Sequence, residues 1–312
     1  MSGLLSLKFA LLRALGRHVP IRGRDRLLRL LENPDSQRDF PFVEDFQGFR
    51  YPGNLKRFID WSVYFYGGYS GHELTLLGDL ARGLRLDGAR GVVAWDIGAN
   101  IGHHCLYMAG IADQVIAFEP IPFNADLLQE KLMVNALGSV ELHRLALGDE
   151  PAELPLHHPD MANSPNVGTA SFYADYNPAN NVDQTTAQVV VGDDYREELG
   201  LPAPDLIKIG VEGFERPALA GMAKTLRGNP SAVLMEMSDY TWKSFANLDE
   251  LRMILPDREF FELHATPDPM GYRAGPLQFG VSPEIFAIPR SRPTLVAAFA
   301  GARDGLISRP TL

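Results

Sequence analysis

The chain has a single cysteine, Cys105, among 312 residues, which excludes an intrachain disulfide and fits a reducing compartment, so a cytoplasmic protein is expected. No apolar run approaches the roughly 20 residues that span a bilayer. Positive charge is also scarce. The formal net charge is −10, which makes the chain a poor general binder of phosphate backbones and excludes a nucleic-acid partner. There is no internal repeat and no low-complexity tract. Metal-ligand spacing is lacking too: His157, His158 and Asp160 sit together in one short loop-like stretch, and no metal is expected.

What remains is ordinary globular composition, 46% hydrophobic and 22% charged, on a chain long enough to bury one large core. The most informative stretch is Val92-Val93-Ala94-Trp95-Asp96-Ile97-Gly98-Ala99-Asn100-Ile101-Gly102, followed by Val115-Ile116-Ala117-Phe118-Glu119-Pro120. Each half is an apolar run ending in a carboxylate, the pattern of a buried parallel strand that delivers a charge to the carboxyl edge of an α/β sheet. Ligands bind at that edge. Asp96, just before a tight glycine turn, would repel a pyrophosphate and attract an ammonium group. Gly98 and Gly102 would let the backbone approach a ligand, and Glu119 is placed to accept two hydrogen bonds from a ribose diol. A ligand with an amino-acid end and a nucleoside end is S-adenosylmethionine. The rival is a nicotinamide dinucleotide, whose fingerprint calls for glycine where this chain has Asn100.

The charge is unevenly spread. Lys8, Arg13, Arg17, Arg22, Arg24, Arg26 and Arg29 face only Asp25 in the first 31 residues, and Leu4, Leu5, Leu7, Phe9, Leu11, Leu12 and Leu15 make the beginning amphipathic. Three partners are open for this segment: its own domain, a second subunit of a homo-oligomer, or peripheral contact with a membrane surface.

Residues 40–51 read as a hairpin with turn chemistry in Pro52-Gly53-Asn54, followed by an aromatic stretch over 58–69 and a helix over 73–84. The aromatics at helical spacing read as core, with a lid over the ligand as the alternative. Strands are expected near 92–96, 114–118, 140–145, 205–209 and 231–236, alternating with helices near 101–110, 123–136, 215–227 and 246–254. The long excursion 148–203 contains strand-like pieces near 169–173 and 187–191, and residues 259–263 and 284–288 look like an antiparallel pair. The resulting division is an extension or lid over 1–84, a ligand-binding domain over 85–290 and a C-terminal tail over 291–312.

Four pieces together resemble the FkbM-type methyltransferases: Asp96 to Gly102, Ala117 to Pro120, Leu145 to Asp149, and Leu206 to Glu215. The resemblance covers about residues 58–240. It implies an α/β, Rossmann-like class I methyltransferase fold with a mostly parallel, seven-stranded doubly wound sheet behind the N-terminal helical extension. It also implies S-adenosylmethionine as cofactor, and methyl transfer to oxygen, commonly a hydroxyl of a sugar, glycan or natural product. By the same resemblance Asp96, Gly98, Ala99, Asn100, Gly102, Glu119 and Pro120 are cofactor contacts, with Ala146 near the adenine.

Two positions depart from the family pattern. Gly210 stands where the family has aspartate in Lys-Ile-Asp-Val-Glu-Gly, and Ser70 stands where it often has glutamate. Hydroxyl methylation benefits from a general base, so Glu212 becomes the first candidate and His103 the second, with His104 beside it. Glu212 could equally be a helix N-terminal carboxylate and the histidines packing groups. Lys208 reads as an ion-pair partner, and Glu236 as a substrate contact or a loop cap. The alternative function is an S-adenosylmethionine-binding protein with impaired catalysis and an assembly or regulatory role.

Overall fold

Strands covered on both faces need no polar alternation, and the unbroken apolar runs of this chain form the middle of one sheet. The computed structural model describes residues 3–19, 23–36 and 38–312, with residues 3–6 as backbone only; Arg22 and the side chains of Leu4 and Leu5 lie outside the described residues.

The first helices, α1 (Gly3–His18) and α2 (Arg24–Leu31), precede a hairpin of β1 (Pro41–Phe46) and β2 (Phe49–Asn54), then α3 (Phe58–Tyr66). Phe9, Leu12 and Leu28 are buried with Trp61 and Phe65 of α3, so the N-terminal helices dock on their own chain through one face. Leu7, Leu11 and Leu30 remain exposed on the other. No described helix is long and apolar enough to cross a membrane. The hairpin turns at Gln47-Gly48, both with positive φ, and not at Pro52-Gly53-Asn54, which lies within β2. Gly53 is needed there because a Cβ would strike the Phe42 ring at 2.5 Å.

Next come α4 (Gly71–Leu86), β3 (Val93–Ile97), α5 (His103–Met108), β4 (Gln114–Phe118), α6 (Pro122–Val134) and β5 (Val140–His143). A second, three-stranded sheet of β6 (Ala146–Gly148), β7 (Ala152–His158) and β8 (Asp183–Val191) occupies most of the excursion. Residues 169–173 form no strand, only a bridge between Ser171 and His157. After α7 (Gly192–Leu199) follow β9 (Leu206–Ile209), α8 (Glu215–Ala220), α9 (Ala223–Gly228) and β10 (Ala232–Glu236). The single helix expected over 215–227 is split at Gly221, whose Cβ would lie 1.8 Å from the carbonyl oxygen of Gly148. The chain closes with α10 (Asp239–Ser244), α11 (Leu248–Ile254), β11 (Arg258–Ala265), β12 (Tyr272–Pro276), β13 (Glu284–Pro289), α12 (Pro293–Ala298) and β14 (Ile307–Ser308).

The large sheet runs β14-β12-β11-β13-β10-β9-β3-β4-β5. β10, β9, β3, β4 and β5 are mutually parallel, and β13 is antiparallel to both β10 and β11. Seven strands make the expected Rossmann-like class I sheet; β12 and β14 widen it to nine. Alternate residues feed two cores: Ala94, Val115, Ala117 and Leu234 on one face, and Trp95, Ile116, Phe118 and Val233 on the other. Leu76, Leu77, Leu80 and Leu84 of α4 and Leu295 and Phe299 near the C-terminus belong to the first core. Helix α4 is therefore part of the sheet domain and not of an N-terminal extension, and residues 291–312 supply core and a strand where a tail was expected. The topology reverses between β3 and β9, which opens a crevice at their carboxyl ends.

Candidate functional site

β3 ends in Asp96-Ile97 and the chain turns through Gly98 (φ 84°), Asn100 (φ 50°) and Gly102 (φ 87°) into α5. Both glycines are required by the protein's own packing. A Cβ on Gly98 would lie 2.1 Å from the carbonyl oxygen of Gly210, and one on Gly102 would lie 2.4 Å from Leu128. Asn100 tolerates the left-handed region by turning its Oδ1 onto the Ile101 N–H at 2.8 Å.

Glu119, just past β4, is clamped to this turn. The Asn100 N–H donates to its Oε2 and the Ile121 N–H to its Oε1, both at 2.8 Å. Burial pushes its carboxyl up to about 7 against the pull of these two amides. A carboxylate has about four acceptor positions, so each oxygen keeps capacity for a ligand hydroxyl. Glu119 lines a cleft with Gly98, Ala99, Asn100, Pro120 and Ala146. Leu145, Leu147, Phe118 and Ile121 give this end of the cleft apolar walls.

Asp96 is placed differently. It is fully buried, does not line the cleft, and neither carboxylate oxygen has a hydrogen-bond partner. Gly102 is likewise absent from the lining. Burial pushes the Asp96 carboxyl up to about 6, opposed by Lys208, its register partner on β9. A buried carboxylate without donors costs free energy, and such groups mark functional sites.

The other end of the cleft is polar. Lys208 Nζ pairs with Glu236 Oε1 at 2.6 Å. Burial works against the lysine's charge, but Glu236, Asp96 and Glu73 outweigh it and raise its pKa. Glu212, with φ 50°, accepts a hydrogen bond from the Tyr176 hydroxyl. Burial pushes its carboxyl up to about 7. It lies before the first turn of α8, which begins at Glu215. Glu215, the acidic residue in the first turn of α8, instead braces the preceding loop by accepting from the N–H groups of Val211 and Gly213 and from the Thr241 hydroxyl. His103 is buried against Phe46 and Tyr51, with Nε2 at 2.9 Å from the Tyr69 carbonyl oxygen. Burial holds its pKa well below the ordinary value. Its Nε2 engages Tyr69, while its Nδ1 is buried without a partner. His104 contacts Glu73 at 3.2 Å, and burial lowers its pKa to about 3.

The aromatic stretch, expected as core or as a lid, supplies both. Phe58, Ile59 and Tyr69 face residues 166–170 across the cleft, and the Phe58 N–H donates to the Pro165 carbonyl at 2.7 Å. Trp61, Val63 and Phe65 instead point into the interior, so only the ends of the aromatic stretch reach the cleft.

A family model of the methyltransferase FkbM domain matches residues 96–262, a span that holds both strand-end acids and the Lys208 to Glu215 segment. The chain belongs to this family. Over 135 residues it is 30% identical to a hexuronic acid methyltransferase, AglP, of Haloferax volcanii; the match covers 43% of this chain and 52% of that relative. The chain thus spans about half the length of that relative. A methyltransferase FkbM structure from Methylobacillus flagellatus KT aligns with a TM-score of 0.42 at 16% identity, over 90% of this chain and 58% of the other. An O-methyltransferase from Bacillus cereus, solved with SAH, aligns at 0.36 and 13% identity, over 69% of this chain and 80% of the other.

Proposed function

We propose that the cleft binds S-adenosylmethionine and that this methyltransferase-family protein methylates a hydroxyl oxygen of a sugar-type acceptor. The observation that carries the cofactor reading is Glu119. Its carboxylate is oriented by two backbone amides at the mouth of an apolar recess and keeps free acceptor positions, as a ribose diol requires. The orphaned Asp96 carboxylate, with Glu212 and Glu236 nearby, gives the site an excess of negative charge suited to a cationic ligand. Asp96, buried behind the lining, acts there through its field. When bound, S-adenosylmethionine would supply an electrophilic methyl group on a sulfonium.

The chain's own residues have then to orient an acceptor and remove its proton. Glu212 is the group placed to do the second: a half-buried carboxylate with a pKa of about 7, held by Tyr176 and lining the cleft. The Lys208–Glu236 pair borders the same end and offers both a donor and an acceptor to sugar hydroxyls. The name of the Haloferax volcanii relative supports a sugar acid or related sugar as acceptor.

The test is turnover. Incubating the protein with methyl-labelled S-adenosylmethionine and a panel of sugars and uronic acids should transfer label to an acceptor. Glu212→Gln should slow transfer about 10²- to 10⁴-fold while S-adenosylhomocysteine still binds. Cofactor binding without transfer to any acceptor would favour the reading of a non-catalytic binding protein.

A further inference from the structure

β10 and β13 are antiparallel neighbours, and their register sets Glu236 directly opposite Glu284. Like charges in that position repel. Glu236 is balanced by Lys208, but among the described residues the Glu284 side chain pairs with the imidazole of His72 alone, with Nε2 and Oε2 2.6 Å apart. A third carboxylate, Glu73, stands beside them. One potential ligand atom from each of His72, Glu73 and Glu284 lies within 4.8 Å of the others. Glu73 is 2% exposed, and its Oε2 is buried with no hydrogen-bond partner. Its near neighbour there, His104 Nε2, is also without one. So much buried negative charge with so few donors is a local conflict that a fold tolerates where a ligand resolves it.

We infer that His72, Glu73 and Glu284 form a binding site for a divalent metal cation at the junction of α4 and β13. One imidazole and two carboxylates suit a first-row cation that accepts mixed nitrogen and oxygen ligands. Three protein ligands leave a coordination position open. Of the three, Glu284 also lines a recess with Glu236, Tyr176 and Glu212, and Glu236 and Glu212 line the main cleft as well. Two ligands held at about 2.1 Å from a tetrahedral centre stand roughly 3.4 Å apart. The His72–Glu284 pair would therefore open by less than ~1 Å on binding, and any proton shared between them would leave to solvent. Sequence spacing does not reveal this group, because Glu284 lies 212 residues after His72.

The inference stands apart from the methyl-transfer reading, and its test separates the two. The full chain, stripped with chelator, is titrated with Mn²⁺ while free Mn²⁺ is followed by electron paramagnetic resonance, and S-adenosylhomocysteine binding is measured in parallel by calorimetry. One Mn²⁺ per chain is expected in the wild type. His72→Gln and Glu284→Gln should each weaken Mn²⁺ binding at least about tenfold, with S-adenosylhomocysteine affinity kept as proof of folding. Absence of stoichiometric Mn²⁺ binding, or equal binding by a folded Glu284→Gln variant, would overturn the site whatever the nucleoside measurement shows.

Discussion

Lys208 Nζ and Glu236 Oε1 meet 2.6 Å apart in the space where a side chain on Gly210 would project. A Cβ at residue 210 would lie 2.6 Å from Nζ and 2.7 Å from Oε1. The family's aspartate position is therefore not an empty slot in this chain. A carboxylate from the neighbouring strand and the lysine that holds it have taken its place.

Filling that position should consequently displace the pair and restore nothing. Gly210 is outside the left-handed region and its neighbours are the tips of flexible side chains, so Gly210→Ala and Gly210→Asp should fold. We expect a loss of about 1–3 kcal/mol on thermal denaturation, the usual range for overpacking, and no gain in turnover. A faster Gly210→Asp enzyme of unchanged stability would show that the lysine–glutamate pair is dispensable.

Activity should follow the protonation of Glu212. A base works only when ionised, so kcat/KM should rise with pH through about 7, where burial places this carboxyl. The Tyr176 hydroxyl favours the ionised form. Tyr176→Phe should therefore move the acidic limb to higher pH, and Glu212→Gln should flatten it. A limb that stays in place in Tyr176→Phe would assign the titration to another group.

The wall formed by Phe58, Tyr69 and residues 166–170 should respond to ligand. Limited proteolysis of the free protein should cut within 159–182, where described strand structure is absent, and S-adenosylhomocysteine should slow the cut because these residues line the same cleft. Identical cleavage with and without ligand would remove this loop from the binding site.

The N-terminal helices should split by face. Phe9 is 1% exposed against α3, so Phe9→Ala should cost about 3–5 kcal/mol. Leu11 and Leu30, at 62% and 82% exposure, should be replaceable by serine within about 0.5 kcal/mol. Co-sedimentation with anionic vesicles and particle mass, measured on the serine variants, then decide between a membrane surface and a homo-oligomer as the partner of that outer face.

The parts legible in the sequence were those governed by local pattern. Apolar runs ending at Asp96 and Glu119 located the two strands and the crevice, and the β11–β13 pair was readable because Glu259 to Leu263 and Glu284 to Ile288 have strand composition. Misreadings arose where distant chain segments decide. Gly53 looked like a turn residue, but a ring from β1 requires it. For Gly98 and Gly102 the local pattern showed glycine but not that the Gly210 carbonyl and Leu128 require it. Asp96 ended its strand as expected, but that its carboxylate is buried without a hydrogen-bond donor depends on how the strands pack. The meeting of His72 and Glu73 with Glu284 depends on the β10–β13 register, which no local spacing encodes.

The central claim is that Glu119 holds the ribose of S-adenosylmethionine, and calorimetry on wild type and Glu119→Ala tests it most directly. The account predicts one S-adenosylmethionine per wild-type chain, no comparable heat from a nicotinamide dinucleotide, and a loss of about 1.5–3 kcal/mol in the variant for a hydrogen bond to a charged group. Undiminished affinity in a folded Glu119→Ala protein, or preference for the dinucleotide, would contradict it.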